Sequence, residues 1–301
     1  MPVLVHVAGK ISCQFQKNKE ENMRKINVEQ IITAVEALCL DANYNLSDDI
    51  YGAMKDAVKT EEALGAEVLN ILLENADLAR KDQVAMCQDT GMAVVFVEIG
   101  QEVMVEGGSL TDAINEGVRR GYKKGYLRTS VVSDPIERKN TNDNTPAVIH
   151  YDIVEGDKLK ITVTPKGFGS ENMGGLKMLV PSDGIDGVMD FVVEVVRRGG
   201  QNACPPLIIG VGVGGTMEKA TLLAKTALVR PVGSHHPSEA WRDVELKLKE
   251  RINALNIGPG GFGGITTALC VNIETYPTHI AGLPVAVNIN CHATRHAEAV
   301  L

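Results

Sequence analysis

The stretch CPPLIIGVGVGGTMEKATLLAKTALV, residues 204–229, decides the fold class of this chain. An apolar run of strand length enters a glycine-rich turn, and the residues after the turn repeat apolar positions at helical spacing. A buried strand joined to a helix by a short turn is the unit from which α/β proteins are built. We therefore predict an α/β fold.

Segments on both sides of this unit predict further helices and strands. From Asn27 the apolar residues follow helical spacing, with Asn27 and Gln30 as an N-terminal cap pair, and two more helices follow before residue 83. Residues 93–100 have the pattern of a buried strand, and residues 147–167 are typical of a β-hairpin. The expected architecture is a helical N-terminal part followed by mixed α/β sheets, with α+β as the alternative.

The organisation of the chain follows from its length and its local composition. With 301 residues and no long linker, the chain is expected to form a single compact domain over residues 23–301, which can consist of two lobes. Residues 1–22 become polar and charge-rich after a short apolar start. We predict that they form a poorly ordered N-terminal extension.

Charge and cysteine usage exclude several classes of function. A net charge of −8, without a basic stripe, disfavours nucleic acid as a partner. The six cysteines include no C-x-x-C pair, so neither a secreted disulfide framework nor a zinc-finger spacing is present. No segment reaches the roughly 18 apolar residues of a membrane-spanning helix. The expectation is a cytoplasmic protein that is neither exported nor inserted into a membrane.

The glycine turn is also a candidate nucleotide site. Gly210, Gly212 and Gly215 would let a pyrophosphate approach backbone N–H groups. A dinucleotide-binding unit supplies an acidic residue about 20 residues further on, whereas residues 228–236 here read LVRPVGSHH. Close packing of the strand against the helix is therefore the simpler interpretation, and a non-catalytic nucleotide-binding protein is kept as an alternative.

The cysteines divide into two groups. Three are expected in the core or in the extension: Cys39, Cys270 and Cys13. The other three, Cys87, Cys204 and Cys291, each lie where a strand meets a polar or proline-containing loop, which is where ligands are commonly presented. Three thiolates can hold a [4Fe-4S] cluster with one iron left open. Zinc bound by Cys204, Cys291 and either His292 or His296, or three unrelated buried thiols, are the alternatives.

Longer motifs carry a resemblance to a known family. They are CQDTG (87–91), NTPAVIHYDIVEGD (144–157), KGFGSENMGGLKML (166–179), the segment 203–237, LNIGPGGFGG (255–264) and ETYPTHIAGLPVAVNINCHATRHAE (274–298). From about Met23 to Leu301 the chain resembles the iron-sulfur class I fumarase and L-tartrate dehydratase family. Within it, the chain is most similar to the alpha subunit of the two-subunit form.

The resemblance implies a cofactor and a set of site residues. It implies a [4Fe-4S] cluster held by Cys87, Cys204 and Cys291, with the fourth iron reserved for substrate. It also implies substrate-binding positions at Gln88, Asp89, Arg128, His279 and, on an approximate alignment, Gly169. The absence of a second cysteine near Cys87 is then explained, because its partners come from distant segments.

The implied chemistry is the interconversion of L-malate and fumarate plus water. The open iron would bind the departing hydroxide as a Lewis acid. Asp89 is expected to act as general acid or base, with a turn-forming Asx role as its structural alternative. The planar fork of Arg128 is expected to orient a substrate carboxylate, with a surface ion pair as its alternative.

The resemblance also implies a partner. Single-chain family members carry a further C-terminal domain that completes the pocket, so we expect this chain to need a separate beta subunit, in a heterotetramer of two of each. Fumarate and L-malate are the first expectation for the substrate. Dehydration of L-tartrate to oxaloacetate is the second.

Overall fold

A computed structural model describes residues 23–301, and these residues form two compact units. The first unit comprises residues 23–40, 93–163 and 297–301, and the second comprises residues 41–92 and 164–296. Both contain helices and strands, so the α/β prediction is confirmed, and the two units correspond to the lobes that it allowed. The extension predicted for residues 1–22 lies outside the described residues.

The helices and strands follow one another in a mixed order. The helices are α1 Val28–Tyr44, α2 Asp48–Val58, α3 Ala63–Asp82, α4 Leu110–Lys124, α5 Phe168–Glu171, α6 Gly184–Gly199, α7 Met217–Ala227 and α8 Glu239–Asn253. The strands are β1 Arg24–Asn27, β2 Met92–Gly100, β3 Val103–Glu106, β4 Val148–Val154, β5 Leu159–Lys166, β6 Gly175–Leu179, β7 Leu207–Gly214, β8 Ala268–Tyr276, β9 Leu283–Asn290 and β10 Ala297–Val300. Among these, no helix is long and apolar enough to cross a bilayer.

Helix α1 begins at the predicted cap. The Asn27 N–H donates to Gln30 Oε1 at 3.0 Å, and the Glu29 N–H donates to Asn27 Oδ1 at 2.9 Å. These reciprocal bonds satisfy N–H groups that the first turn of a helix leaves without partners. The helix packs closely on α4, because a Cβ on Gly117 would lie 2.6 Å from Val35 Cβ.

The main sheet of the first unit corrects the predicted hairpin. Its strand order is β10-β5-β2-β4, so β2 lies between the two strands that were expected to pair. Strand β2 pairs in parallel with β4, placing Val94 opposite Val148. Residues 93–95 and 97 are buried, whereas Tyr151 and Ile153 of β4 are exposed. The more apolar strand thus takes the central position, as buried strands do, and the hairpin prediction is wrong.

The sheet of the second unit contains the strand that decided the fold class. Its order is β6-β9-β7-β8, with β7 parallel to β8 and antiparallel to β9. All eight residues of β7 are buried, and α7 lies directly against them. A Cβ on Gly210 or Gly212 would collide with the carbonyl oxygen of Ala224 or Ala220 on α7. These glycines therefore serve close strand-to-helix packing, which was the simpler of the two interpretations.

Candidate functional site

Two of the three cysteines that were predicted as cluster ligands lie together at one end of the inner strands of the second-unit sheet. Cys204 lies just before β7 and Cys291 just after β9, and the antiparallel register places Ile208 opposite Asn290. The His292 N–H donates to the Cys204 carbonyl oxygen at 3.2 Å, and His292 Nδ1 lies 3.1 Å from the same oxygen. Because a carbonyl oxygen only accepts, Nδ1 of His292 carries the ring proton. These hydrogen bonds hold the backbone after Cys291 next to the backbone of Cys204.

The backbone at Cys204 has a conformation that is unusual for a side-chain-bearing residue. Its φ is 54° and its ψ is 69°, in the left-handed region, at the end of the 3-10 turn Gly200–Ala203. This conformation is uncommon for residues other than glycine, asparagine and aspartate. Strained backbone of this kind concentrates at functional sites, and the Cys204 side chain is exposed here.

Cys87 lies in the segment that follows α3, and its thiol interacts with both Cys204 and Cys291. This segment is fixed by Asn75, whose Nδ2 donates to the Met86 carbonyl at 2.8 Å. Partial burial raises the pKa of the Cys204 thiol, and the charge of Cys87 raises it further. Burial also raises the pKa of Cys291, to which Cys87 again contributes. Cys87 and Cys291 also pack against one apolar cluster, which includes Met86 and Ala293, so the second unit brings together three thiols that lie far apart in the sequence.

The two buried cysteines outside this group are core residues, as predicted. Cys39 is fully buried on α1 and Cys270 is buried in β8. Burial raises the pKa of each thiol to about 12. Thiols that hold their protons so tightly are poor ligands and poor nucleophiles. Cys13 lies outside the described residues.

Asp89 holds the loop after Cys87 in place. Its Oδ1 accepts the Gly91 N–H at 3.0 Å, which forms the Asx turn of the structural alternative. Its Oδ2 accepts the Phe168 N–H at 2.9 Å, at the start of α5. The carboxylate therefore joins the CQDTG segment to the KGFGSEN segment, and each of its oxygens already accepts one hydrogen bond.

Gln88 and Gly169 lie on these two joined segments. Gln88 is exposed directly after Cys87. Gly169 is exposed on α5, next to Phe168, and a Cβ built on it would meet no atom within 4 Å. The second unit therefore places Gln88, Asp89 and Gly169 on segments that meet beside the cysteines.

His279 lies at the opposite end of β9 from Cys291. It belongs to the loop between β8 and β9, where its Nδ1 accepts the Ala281 N–H at 3.2 Å. Strand β9 separates the two positions by eight residues, which is about 25 Å of extended chain. His279 instead borders a cavity of about 390 Å³ that Trp241 and Leu283 also line. Within the second unit, the structure does not bring His279 to the cysteines.

Arg128 belongs to the first unit, in an exposed loop that follows α4. The Ser130 N–H donates to Asn144 Oδ1 at 2.7 Å, and Asn140 Nδ2 donates to the Thr129 carbonyl at 3.0 Å. These amide side chains fix the backbone immediately after Arg128. Asparagine side chains suit such irregular loops because they replace missing backbone hydrogen bonds.

Two buried cations near the cysteines were not identified from the sequence. Lys166 and Arg295 are 2% and 3% exposed. Lys166 Nζ donates to Ser170 Oγ at 2.7 Å and to the Ile289 carbonyl at 2.9 Å. Burial lowers the pKa of Lys166 to about 8. Both residues lie inside the long motifs, in KGFGSEN and CHATRH, and a charged residue inside such a motif is the signal that could have found them.

The donor atoms near the cysteines do not form a site for a single ion. Among residues 23–301, no group of three or more His, Cys, Asp or Glu side chains is arranged to hold one metal ion. His292 uses Nδ1 on the Cys204 carbonyl. The zinc alternative therefore gains no support from the described residues.

Comparison with known proteins identifies relatives over nearly the whole chain. A family model described as "Fumarate hydratase (Fumerase)" matches residues 32–300. The "Putative L(+)-tartrate dehydratase subunit alpha" of Methanocaldococcus jannaschii is 39% identical over 275 residues, which cover 89% of this chain and 96% of that protein. The "L(+)-tartrate dehydratase subunit alpha" of Escherichia coli strain K12 is 31% identical over 290 residues, which cover 95% and 94%. The predicted resemblance is confirmed, and the chain belongs to the fumarate hydratase family.

Proposed function

We propose that this chain is the alpha subunit of an iron-sulfur hydro-lyase that acts on a four-carbon hydroxy-diacid. The observation that carries the proposal is the meeting of Cys87, Cys204 and Cys291 at one edge of the second-unit sheet. The family assignment supports lyase chemistry, and the printed names of the relatives support the role of a subunit.

The residues present fit a [4Fe-4S] cluster. In such a cluster the cysteines bind different iron atoms, so their sulfurs need not converge on one point. Burial and, to a smaller extent, the charge of Cys87 raise the pKa values of Cys204 and Cys291, and iron would offset both effects by binding the sulfurs as thiolates. Cys87, Cys204 and Cys291 would hold the cluster, which would supply a Lewis acid at its open iron.

Side chains of this chain would bind the substrate and move its proton. Each Asp89 oxygen accepts one backbone N–H and keeps a further acceptor site, so the carboxylate can take up or release a proton without losing its place. The exposed amide of Gln88 can donate to a substrate oxygen, and Gly169 leaves room beside it. Arg128 would bind a substrate carboxylate through two parallel hydrogen bonds. A substrate role for His279 stays a prediction.

The substrate has two candidates. L-malate and fumarate are the first expectation, and the description of the family model agrees with them. L(+)-tartrate is favoured by the names of the two relatives. Turnover of malate and tartrate by the complex with its beta subunit should separate them, and a clear preference for tartrate would reverse our order.

The cluster assignment is tested by metal analysis of anaerobically purified protein. We expect about four irons and four sulfides per chain with visible absorbance, and a loss of this group in Cys87→Ala, Cys204→Ala and Cys291→Ala. Cys270→Ala is the matched control, since Cys270 is a buried core cysteine and its removal should leave the iron content unchanged. A wild-type chain that stays iron-free after cluster reconstitution would refute the proposal.

A further inference from the structure

Arg295 is a buried charge close to Cys291 and to the CQDTG segment that presents Cys87. It follows Cys291 by four residues, is 3% exposed, and acts electrostatically on the Cys291 thiol, whose pKa it lowers against the effect of burial. Its Nη1 donates to Asn43 Oδ1 at 3.2 Å, and its Nη2 donates to the Asp89 carbonyl oxygen at 2.7 Å. Both acceptors are neutral oxygens. The Asp89 carboxylate lies on the same side, since a Cβ on Gly167 would be 3.2 Å from Asp89 Oδ2 and 3.7 Å from Arg295 Nη2, but it forms no ion pair with the guanidinium.

Other buried cations of the second unit have carboxylate partners. Lys166 Nζ lies 3.3 Å from Glu171 Oε2, and Arg230 Nη1 lies 3.0 Å from Glu245 Oε1. Among the residues that the structure describes, no Asp or Glu forms an ion pair with Arg295. The Nε atom of Arg295 is also buried without a hydrogen-bond acceptor. Burying a charge without a partner costs free energy. A bound anion next to Arg295 would therefore stabilise this arrangement.

The nearby groups indicate which anion completes it. Arg295 donates to the carbonyl oxygen of Asp89, which lies two residues after Cys87 in the same loop, and its charge acts on the Cys291 thiol. Three thiolates outweigh the positive charge of an oxidised [4Fe-4S] core, so a cluster bound by three cysteines is an anion. Hydrogen bonds and charges around such a cluster set its reduction potential.

We propose that Arg295 is the counter-cation of the three-cysteine site and offers its Nε–H to the anionic cluster. This inference rests on the proposed function, because it assumes that the cysteines hold iron and sulfide. Arg295 is a positioning residue in this account: it acts on the cluster and on the Asp89 backbone, and it does not touch the substrate.

The first test compares cluster-free and cluster-loaded protein by thermal unfolding. The cluster should raise the midpoint Tm of the wild type, and this rise should shrink in Arg295→Met because the anion has lost its counter-charge. Arg230→Met is the matched control: it removes a buried arginine whose partner is Glu245, and it should lower both midpoints by similar amounts. If Arg295→Met also lowers both midpoints equally, the role is only structural and the inference is wrong.

The second test measures the cluster itself. In Arg295→Met, iron loss to a chelator should be about 10- to 100-fold faster, as expected when a partner outside the ligand set is removed, and the reduction potential should fall because a positive charge favours the reduced cluster. Arg295→Lys keeps the charge and should retain a potential near that of the wild type. An unchanged potential in Arg295→Met would overturn the proposal.

A third measurement needs no variant. In wild-type protein labelled with nitrogen-15 arginine, pulsed EPR of the reduced cluster should detect coupling to an arginine nitrogen, and the absence of coupling would contradict the hydrogen bond. Failure of the proposed function gives a different result, namely a wild-type chain without iron. If the wild type binds a cluster and Arg295→Met leaves the properties of that cluster unchanged, the proposed function stands and only this inference is wrong.

Discussion

At the scale of single residues, the proposed site depends on side chains with a local structural role to which our proposal adds a chemical one. Asp89 illustrates this: its two oxygens accept N–H groups from Gly91 and Phe168, so it closes its own turn and also fixes α5. The sequence motif predicted the position of Asp89. It could not predict the bond to Phe168, because that bond joins residues 79 positions apart.

Asp89→Asn removes the proton exchange and keeps part of the structural role. The amide oxygen can still close the turn to Gly91, whereas the amide nitrogen cannot accept the Phe168 N–H, and the residue can no longer exchange a proton. Loss of a general acid or base typically costs 10²- to 10⁴-fold in rate, so we expect about that decrease in kcat with an unchanged iron content. Steady-state assays of the enzyme complex give the rate. Asp134→Asn, in an exposed turn where Asp134 Oδ1 accepts two N–H groups, is the control that should remain active.

Lys166 should leave a signature in the dependence of stability on pH. Burial lowers its pKa to about 8 in the folded chain, whereas an unfolded lysine titrates near 10.4. Between these values the unfolded state binds more protons, so this residue makes the free energy of unfolding rise with pH, by at most about 1.4 kcal/mol per pH unit. Denaturant unfolding of the cluster-free chain should show this rise in wild type relative to Lys166→Met. Parallel curves for the two proteins would contradict the prediction.

At the scale of helices and strands, the locally encoded features were predictable and the strand pairing was not. The cap of α1 was predicted because Asn27, Glu29 and Gln30 are sequence neighbours. The hairpin failed because strand β2, more than 40 residues before β5, inserts between β4 and β5. The burial of Lys166 and Arg295 could not be predicted from the sequence either, since it depends on segments that meet only in the folded chain.

Gly212→Ala tests the packing of β7 against α7. The added Cβ would collide with the Ala220 carbonyl oxygen, so the strand and helix must separate slightly. Overpacking of this kind typically costs about 1–3 kcal/mol in the free energy of unfolding. Gly52→Ala on α2 is the control: its Cβ would meet no atom within 4 Å, and alanine should stabilise the helix by about 0.5–1 kcal/mol. Similar effects of the two substitutions would refute the packing role.

At the scale of the whole molecule, the proposed function requires a second protein. The relatives from M. jannaschii and E. coli are both named as alpha subunits. In our proposal the second unit supplies the cluster ligands and the carboxylate of Asp89, and the beta subunit supplies the rest of the pocket.

We therefore expect the cluster-loaded chain alone to be inactive on fumarate, malate and tartrate, and expect activity to appear on addition of the beta subunit. Titration of a fixed amount of alpha subunit with beta subunit, followed by turnover and by light scattering, would measure both the stoichiometry and the assembly. Full-rate hydration of fumarate by the chain alone would show that no partner is needed.

The antiparallel pairing of β7 and β9 also affects how the protein can vary among relatives. Both strands hold a cysteine at the same edge of the sheet, and the 68 residues that join them, 215–282, leave and return at the opposite edge. Most of that excursion is not free to change, because β8 pairs with β7, α7 packs against it, and the Gly260 N–H donates to the Pro205 carbonyl oxygen at 2.8 Å beside Cys204. The loop 277–282, which carries His279, lies at the end of β9 far from Cys291. Evolution can therefore remodel this loop while the two cysteines keep their spacing.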